Sequence, residues 1–248
     1  MRNISAVIIT CNEARNIGRC LDSLAGVADE IIVVDSGSTD NTELICKEYN
    51  VRFDAHPWEG YDKQKNYANS LATNSWIFSI DADEALSPKL RESLMKFKQG
   101  EDDATTAYSV NRLTYYQGRA IRHCGWYPER KVRLFRKGEA KWDGIVHEDL
   151  VFEGKAANLD GDLLHYPYNG LNDLIAKYSK YASLMADKYH SQGKHATTMD
   201  CVLRPLWTFL RNYLIRFGML DGHEGWTICK MMAYYTFMKY TLLREKRQ

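Results

Sequence analysis

Two aspartates, Asp81 and Asp83, stand one residue apart after the largely apolar run Ile77-Phe78-Ser79-Ile80, with Glu84 directly behind them. Carboxylates of this kind are hard oxygen ligands, which hold Mg2+ or Mn2+ while the ion keeps sites for phosphate oxygens and water. In open α/β sheets ligands gather beyond the carboxyl ends of strands, so an acidic tip there suits a divalent cation bridging a diphosphate. The plainer alternative is a solvated turn, because Asp is common in turns. Other groups recur in similar places. Thr10, Asn12 and Glu13 follow one apolar run, and Asp35-Ser36-Gly37-Ser38-Thr39-Asp40 follows another. Lys63, Gln64, Lys65 and Asn66 fall in the first turns of a predicted helix. A cation and exposed N–H groups there suit phosphate or a nucleobase carbonyl, although spacing alone favours a solvated basic face. Histidine is a common metal ligand and a common satisfied core residue: His165 is read as one of these, with a metal or diphosphate contact the functional option, and His147 as positioning Glu148 or the acceptor ahead of binding a metal. Glu84 reads as the start of the next helix or as a support behind the two aspartates.

The elements that must position these groups follow a repeating pattern. Ile4 to Thr10 and Glu30 to Asp35 are nearly continuous apolar runs, as expected of parallel strands covered on both faces. Asn12 is placed to cap a helix in which Ile17, Leu21 and Leu24 share a face. A second helix is predicted from about Thr42 to Tyr49, a short strand over Val51 to Ala55 and a helix from about Asp62 to Ala72. Right-handed βαβ units bring such loops to one edge of the sheet, so Thr10, Asn12, Glu13 and Asp35 are expected to converge. Ser87-Pro88 opens a further helix to about Lys98. Beyond it, Ala107 to Leu113, Val132 to Phe135, Leu150 to Phe152 and Asn158 to Tyr166 are short β-like runs, read as a mixed extension of the sheet with acceptor-side loops. Aromatics beside charges in Cys124 to Arg130 and Trp142 to Glu148 suit carbohydrate, though any of these tryptophans fits a core equally well.

Composition narrows the class. A chain of 248 residues with 45% hydrophobic content has ample core, and a net charge of +1 gives no field that would favour nucleic acid. Six scattered cysteines without a C-x-x-C pair, and no leader ahead of the first strand, predict a reduced, cytoplasmic location. Leu171 to Ser191 is a predicted helix, and from Leu203 two more are expected, divided by Gly218 to Gly225. This tail carries eight bases against three acids, a local +5, among dense aromatics. Basic amphipathic helices too short in apolar length to span lie on anionic membrane surfaces. Packing on the catalytic domain or on a second subunit, as in a homo-oligomer, is the competing expectation.

Four segments in order carry a resemblance. Val7 to Glu13, Val33 to Asp40, Gln64 to Ala68 and Asp81 to Glu84 resemble the nucleotide-sugar half of family 2 inverting glycosyltransferases. Trp142 to Glu148 followed by basic aromatic helices is similar to the branch that adds glucose to lipopolysaccharide core. The resemblance implies an α/β fold of the GT-A type: a nucleotide-diphospho-sugar transferase sandwich with a mostly parallel central sheet over residues 1–170, then C-terminal amphipathic helices over 171–248. It implies Thr10, Asn12, Glu13 and Asp35 at the nucleotide, Lys65 at the base or diphosphate, Asp81 at the ribose or metal shell and Asp83 as direct metal ligand. Glu148 falls where the family keeps its catalytic carboxylate. Many members have Asp at the position of Ser36 and Glu-Asp where this chain has His147-Glu148. A later Gln-x-x-Arg-Trp motif of processive members is absent, so single-sugar addition is expected.

The expected activity is transfer of a hexose, glucose foremost, from a UDP-sugar to a saccharide or lipid-linked acceptor, with a divalent cation (Mn2+ or Mg2+), at the cytoplasmic face of the inner membrane. A sugar nucleotidyltransferase is the enzyme alternative, although Thr10 to Arg15 offers no glycine for a triphosphate loop. A non-catalytic nucleotide-sugar or glycan-binding module is the alternative from another class.

Overall fold

The computed structural model describes residues 2–100, 104–144 and 149–246, and the chain forms two compact units. The first comprises residues 1–112 and 129–166, and the second 113–128 and 167–248.

The first unit starts with β1 (Ile4–Thr10), α1 (Ile17–Leu24), β2 (Glu30–Asp35), α2 (Thr42–Lys47) and β3 (Arg52–Ala55). It continues through α3 (Tyr61–Leu71), β4 (Trp76–Asp81), β5 (Glu84–Leu86) and α4 (Pro88–Gln99). Strand β6 (Ala107–Tyr116) leads out of it; in the second unit its last residues pair with β7 (Arg119–Ala120). Then come β8 (Glu129–Arg136), the antiparallel pair β9 (Ala140–Asp143) and β10 (Asp149–Phe152), and β11 (Ala157–His165). The sheet runs β3-β2-β1-β4-β8-β6-β11-β5, with β3, β2, β1 and β4 parallel and antiparallel strands beyond. Parallel pairing aligns Thr10 with Asp35 and Ile9 with Asp81, so three strand ends lie side by side.

The apolar runs are continuous because alternate residues serve two cores. Ile4, Ala6, Ile8, Trp76, Phe78 and Ile80 pack with α1 and α4, while Val7, Ile32, Val34 and Ile77 pack with Ala68 of α3 and with Phe135 and Trp142. Helix α4 begins as predicted: the Ser87 hydroxyl accepts the Leu90 N–H at 3.2 Å, with Pro88 in the first turn.

Three local expectations are corrected. Asn12 does not cap α1, which starts at Ile17, because the intervening loop follows a left-handed turn at Asn12 (φ 56°). Strand β4 ends at Asp81, so Asp83 lies in the turn that follows. Glu84 opens the short buried strand β5, not a helix.

The second unit contains α5 (Leu171–Ser191), α6 (Thr198–Leu210), a wide turn at Arg211–Ile215, a tight turn at Gly218–Asp221 and α7 (Gly222–Glu245). Helix α6 begins before Leu203, set by a capping box in which Thr197 and Asp200 satisfy each other's backbone N–H groups. Around the tight turn, the thiols of Cys124 and Cys229 lie 3.4 Å apart and buried Asp221 accepts from the backbone N–H and ring Nδ1 of His123, both at 2.8 Å.

Candidate active site

The loops after β1 and β2 are one interlocked structure. Buried Asp35 accepts the N–H groups of Gly37 and Ser38, both at 2.8 Å, and the Ser38 hydroxyl. The Ser38 oxygen accepts the Asn12 N–H at 2.8 Å, and the Asn12 amide oxygen accepts the Thr39 N–H at 2.8 Å. Glu13 donates its N–H to the Thr42 hydroxyl at 2.9 Å, and Asp40 accepts from the N–H groups of Ala14 and Thr42. Short polar side chains closing turns on neighbouring backbone give this rigidity without helix or sheet. Between the loops, the buried hydroxyl of Thr10 has no hydrogen-bond partner among the described residues.

The acidic pair divides its labour. Asp81 is bound by two cations: its carboxylate lies 2.8 Å from the Arg133 guanidinium and 3.3 Å from Lys65 Nζ. Burial works to raise the Asp81 pKa, but Arg133 and Lys65 outweigh it and hold the carboxyl far below the usual carboxylate range. Arg133 also bonds fully buried Glu84 at 2.6 Å, and Glu84 accepts the Asp81 N–H at 3.0 Å. Arg112, on the neighbouring strand, lies 3.7 Å from Glu84 and grips Glu129 through two nitrogens. Asp83 is differently placed. Its carbonyl accepts the Tyr166 N–H at 2.8 Å, and its carboxylate stands 3.5 Å from His165 Nε2. Pairing of β5 with β11 puts His165 opposite Glu84, the residue after Asp83. The Arg19 guanidinium lies over the Tyr166 ring at 4.0 Å, so a cation stands close to this turn.

Helix α3 brings the remaining predicted residue inward. Lys63 is a solvated base paired with Glu59, but Lys65 is buried between Asp81 and the Trp142 ring, 4.5 Å from its centroid. The solvated-face expectation thus holds for one lysine and fails for the other, because α3 packs Gln64, Lys65 and Ala68 against the sheet. Asn66 clamps the backbone of Trp142 in both directions, at 2.8 and 3.0 Å. Trp142 is itself a core residue against Phe135. At the end of β3, His56 stacks on Tyr67 at 3.9 Å and bonds the Gln64 side chain at 2.9 Å.

Thr10, Asn12, Glu13, Asp35, Lys65, Asp81 and Asp83 therefore share one end of the parallel strands. Glu148 and His147 lie outside the described residues. Among the described residues no three His, Cys, Asp or Glu side chains gather as a metal cage. The donor set that exists, one carboxylate and one imidazole at Asp83 and His165, fits an ion that completes its shell with substrate phosphates and water. Arg133 was missed from sequence, although an arginine between Val132 and Leu134 in a β-like apolar run is the signature of a buried, paired charge.

With this geometry in place, the relationships are plain. Residues 5–152 match the model of the family described as Glycosyl transferase family 2. The lipopolysaccharide core biosynthesis glycosyltransferase LpsC of Rhizobium meliloti is 35% identical, over 95% of this chain and 89% of its own length. An uncharacterized glycosyltransferase of Rickettsia typhi is 32% identical, over 99% of this chain and 88% of its own. Among solved structures, glucosyl-3-phosphoglycerate synthase from Mycobacterium tuberculosis, in complex with Mn2+, UDP and glucosyl-3-phosphoglycerate, matches 47% of this chain and 45% of its own at 25% identity, with a TM-score of 0.37. The chain is a glycosyltransferase of mixed α/β fold. The chain belongs to glycosyl transferase family 2.

Proposed function

We propose that this chain is an inverting, divalent-cation-dependent hexosyltransferase that moves glucose from UDP-glucose to a saccharide or lipid-linked acceptor in the synthesis of lipopolysaccharide core or a related surface glycan. The observation that carries this is the acidic turn itself: at the strand ends shared with the Asn12 and Asp35 loops, Asp81 is neutralised by Arg133 and Lys65, while the Asp83 carboxylate faces the imidazole of His165 at 3.5 Å. The family and the likeness to LpsC support the class of acceptor.

The unpartnered Thr10 hydroxyl and the rigid Asn12–Asp35 loops receive the nucleoside, with Glu13 at their rim. Lys65, already beside Asp81, faces the diphosphate or base. Asp83 and His165 would hold the divalent cation, which would supply charge stabilisation to the leaving diphosphate. Glu148, in the role that the family resemblance gives it, takes the proton of the acceptor hydroxyl. That oxygen bonds to the anomeric carbon as the bond to the diphosphate oxygen breaks, and the electron pair leaves with UDP.

Titration calorimetry of the full chain with UDP, with and without Mn2+, tests the site, and transfer from UDP-glucose with the anomeric configuration of the product tests the reaction. Tight UDP binding that ignores Mn2+ would reject the metal assignment. Retained configuration would reject the single displacement. Glu148→Gln is expected to lower turnover by about 10²–10⁴ with UDP binding intact, the usual worth of general-base catalysis.

A further inference from the structure

Helix α6 is built unlike the other described α-helices, each of which buries at least two side chains, whereas α6 buries none. Its apolar residues nevertheless follow a helical stripe: Met199, Leu203, Leu206 and Leu210 recur at spacings of four, three and four, with Val202 and Trp207 on the flanks, all 37–63% exposed. The stripe continues through Leu214, Ile215 and Phe217 into the tight turn with Met219 and Leu220, and these are exposed too. Phe217 holds a left-handed backbone conformation (φ 54°), which is costly for a bulky residue, while its ring faces solvent. Isolated exposed apolar residues need no explanation, but a continuous face of this extent does.

The surroundings identify what covers it. Arg204, Arg211, Arg216 and Lys230 belong to the same helices and turns, within a tail that carries a local +5, with Arg204 paired to Asp200 at 2.6 Å. Lys230 Nζ lies 4.8 Å from the ring centroids of both Phe209 and Trp226, so aromatic and cationic groups are interleaved. A second copy of the same face would bring bases against bases. No described helix is long and apolar enough to cross a membrane. Tryptophan beside arginine and lysine around a shallow apolar ridge is the composition of helices that lie in a lipid headgroup region, where the long bases reach up to phosphates while leucines enter the acyl boundary.

We infer that α6 and the turns following it, from Met199 to Leu220, form a docking ridge for the surface of a bilayer containing anionic phospholipid, with Leu206, Trp207, Leu210 and Leu214 entering the headgroup layer. This surface is independent of the donor site, so either assignment can fail alone.

Co-sedimentation of the full chain with phosphatidylcholine vesicles, with and without phosphatidylglycerol, tests it. Binding is expected with phosphatidylglycerol, weakening as salt rises, together with a blue shift of tryptophan fluorescence. The double substitution Leu206→Asp/Leu210→Asp should reduce vesicle partitioning by about tenfold or more, because it replaces apolar contact with like charge to the lipid. The control Leu44→Asp, at an exposed leucine of α2, should leave partitioning unchanged. Leu206 and Leu210 are both exposed and belong to none of the buried cores, so the double variant should stay folded, with a melting temperature within a few degrees of the parent's. A parent that stays in the supernatant with both vesicle types overturns the inference. So does reversible self-association that Leu206→Asp/Leu210→Asp abolishes, which would make a second copy the occupant.

Discussion

Asp81 and Asp83 are chemically alike and one residue apart, yet their neighbours give them different work. Two cations and a backbone carboxylate network hold Asp81 in place, whereas the carboxylate of Asp83 meets an imidazole. Asp83→Asn should therefore abolish the Mn2+-dependent part of UDP affinity in calorimetry, while Asp81→Asn mainly loosens the fold. The pH dependence follows from sign. A carboxyl held below its unfolded value contributes stability that is fully present above about pH 4 and is lost as pH falls toward the folded value. Melting curves of the parent should thus fall more steeply below about pH 4 than those of Asp81→Asn, with Glu129 of the same network, also lowered by Arg112 and Lys131 against the effect of burial, leaving a residual slope in the variant. Arg133→Met is the harsher change. It strands fully buried Glu84 beside Asp81, and losing one partner of a buried ion pair costs about 3–5 kcal/mol. Urea denaturation measures that loss.

At the scale of elements, the placement of His165 depends on how β11 crosses the start of α4. Gly161 (φ 98°) lets the strand pass so close that an added Cβ would sit 2.3 Å from the backbone nitrogen of Leu90. The Ser87 hydroxyl, which caps α4, also accepts the Asp162 N–H at 3.0 Å and so ties the strand to the helix. Gly161→Ala meets both a backbone clash and a forbidden dihedral, and should destabilise by about 1–3 kcal/mol or more. Because His165 is four residues further along the same strand, the variant should also bind UDP less tightly with Mn2+ while its Mn2+-free affinity changes little, as calorimetry can read. Ser87→Ala, which removes only the hydroxyl, should cost about 1–2 kcal/mol.

Across the whole molecule, charge and function are partitioned along the chain. The total is +1 while residues 203–248 carry +5, which leaves −4 for residues 1–202, where the acidic turn lies. The Asp83 carboxylate attracts a divalent cation and repels a free nucleotide unless the two arrive together. UDP with Mn2+ should consequently raise the melting temperature well above either alone. Ligand at a hundred times its Kd contributes about 2.7 kcal/mol. Scanning calorimetry should find that increment missing in Asp83→Asn and intact in Leu206→Asp/Leu210→Asp.

What the sequence determined by itself was local and periodic. Apolar runs and polar, Gly-containing turns specify strands, helices and their right-handed connections, so Thr10, Asn12, Asp35 and Asp81 could be assigned to one sheet edge from the order of segments alone. The Ser87-Pro88 start of α4 was legible for the same reason, since capping is settled within one turn. Meetings across long separations were decided only by tertiary structure. Arg133 reaches Asp81 because β8 pairs antiparallel with β4, and His165 reaches Asp83 because β11 pairs with β5. The apolar pattern of each strand restricts its register, but which strands pair is settled only when their apolar faces meet a common core across long sequence separations. The burial of Lys65 beside solvated Lys63 has the same origin: a helix face is inward or outward only once there is a sheet for it to cover.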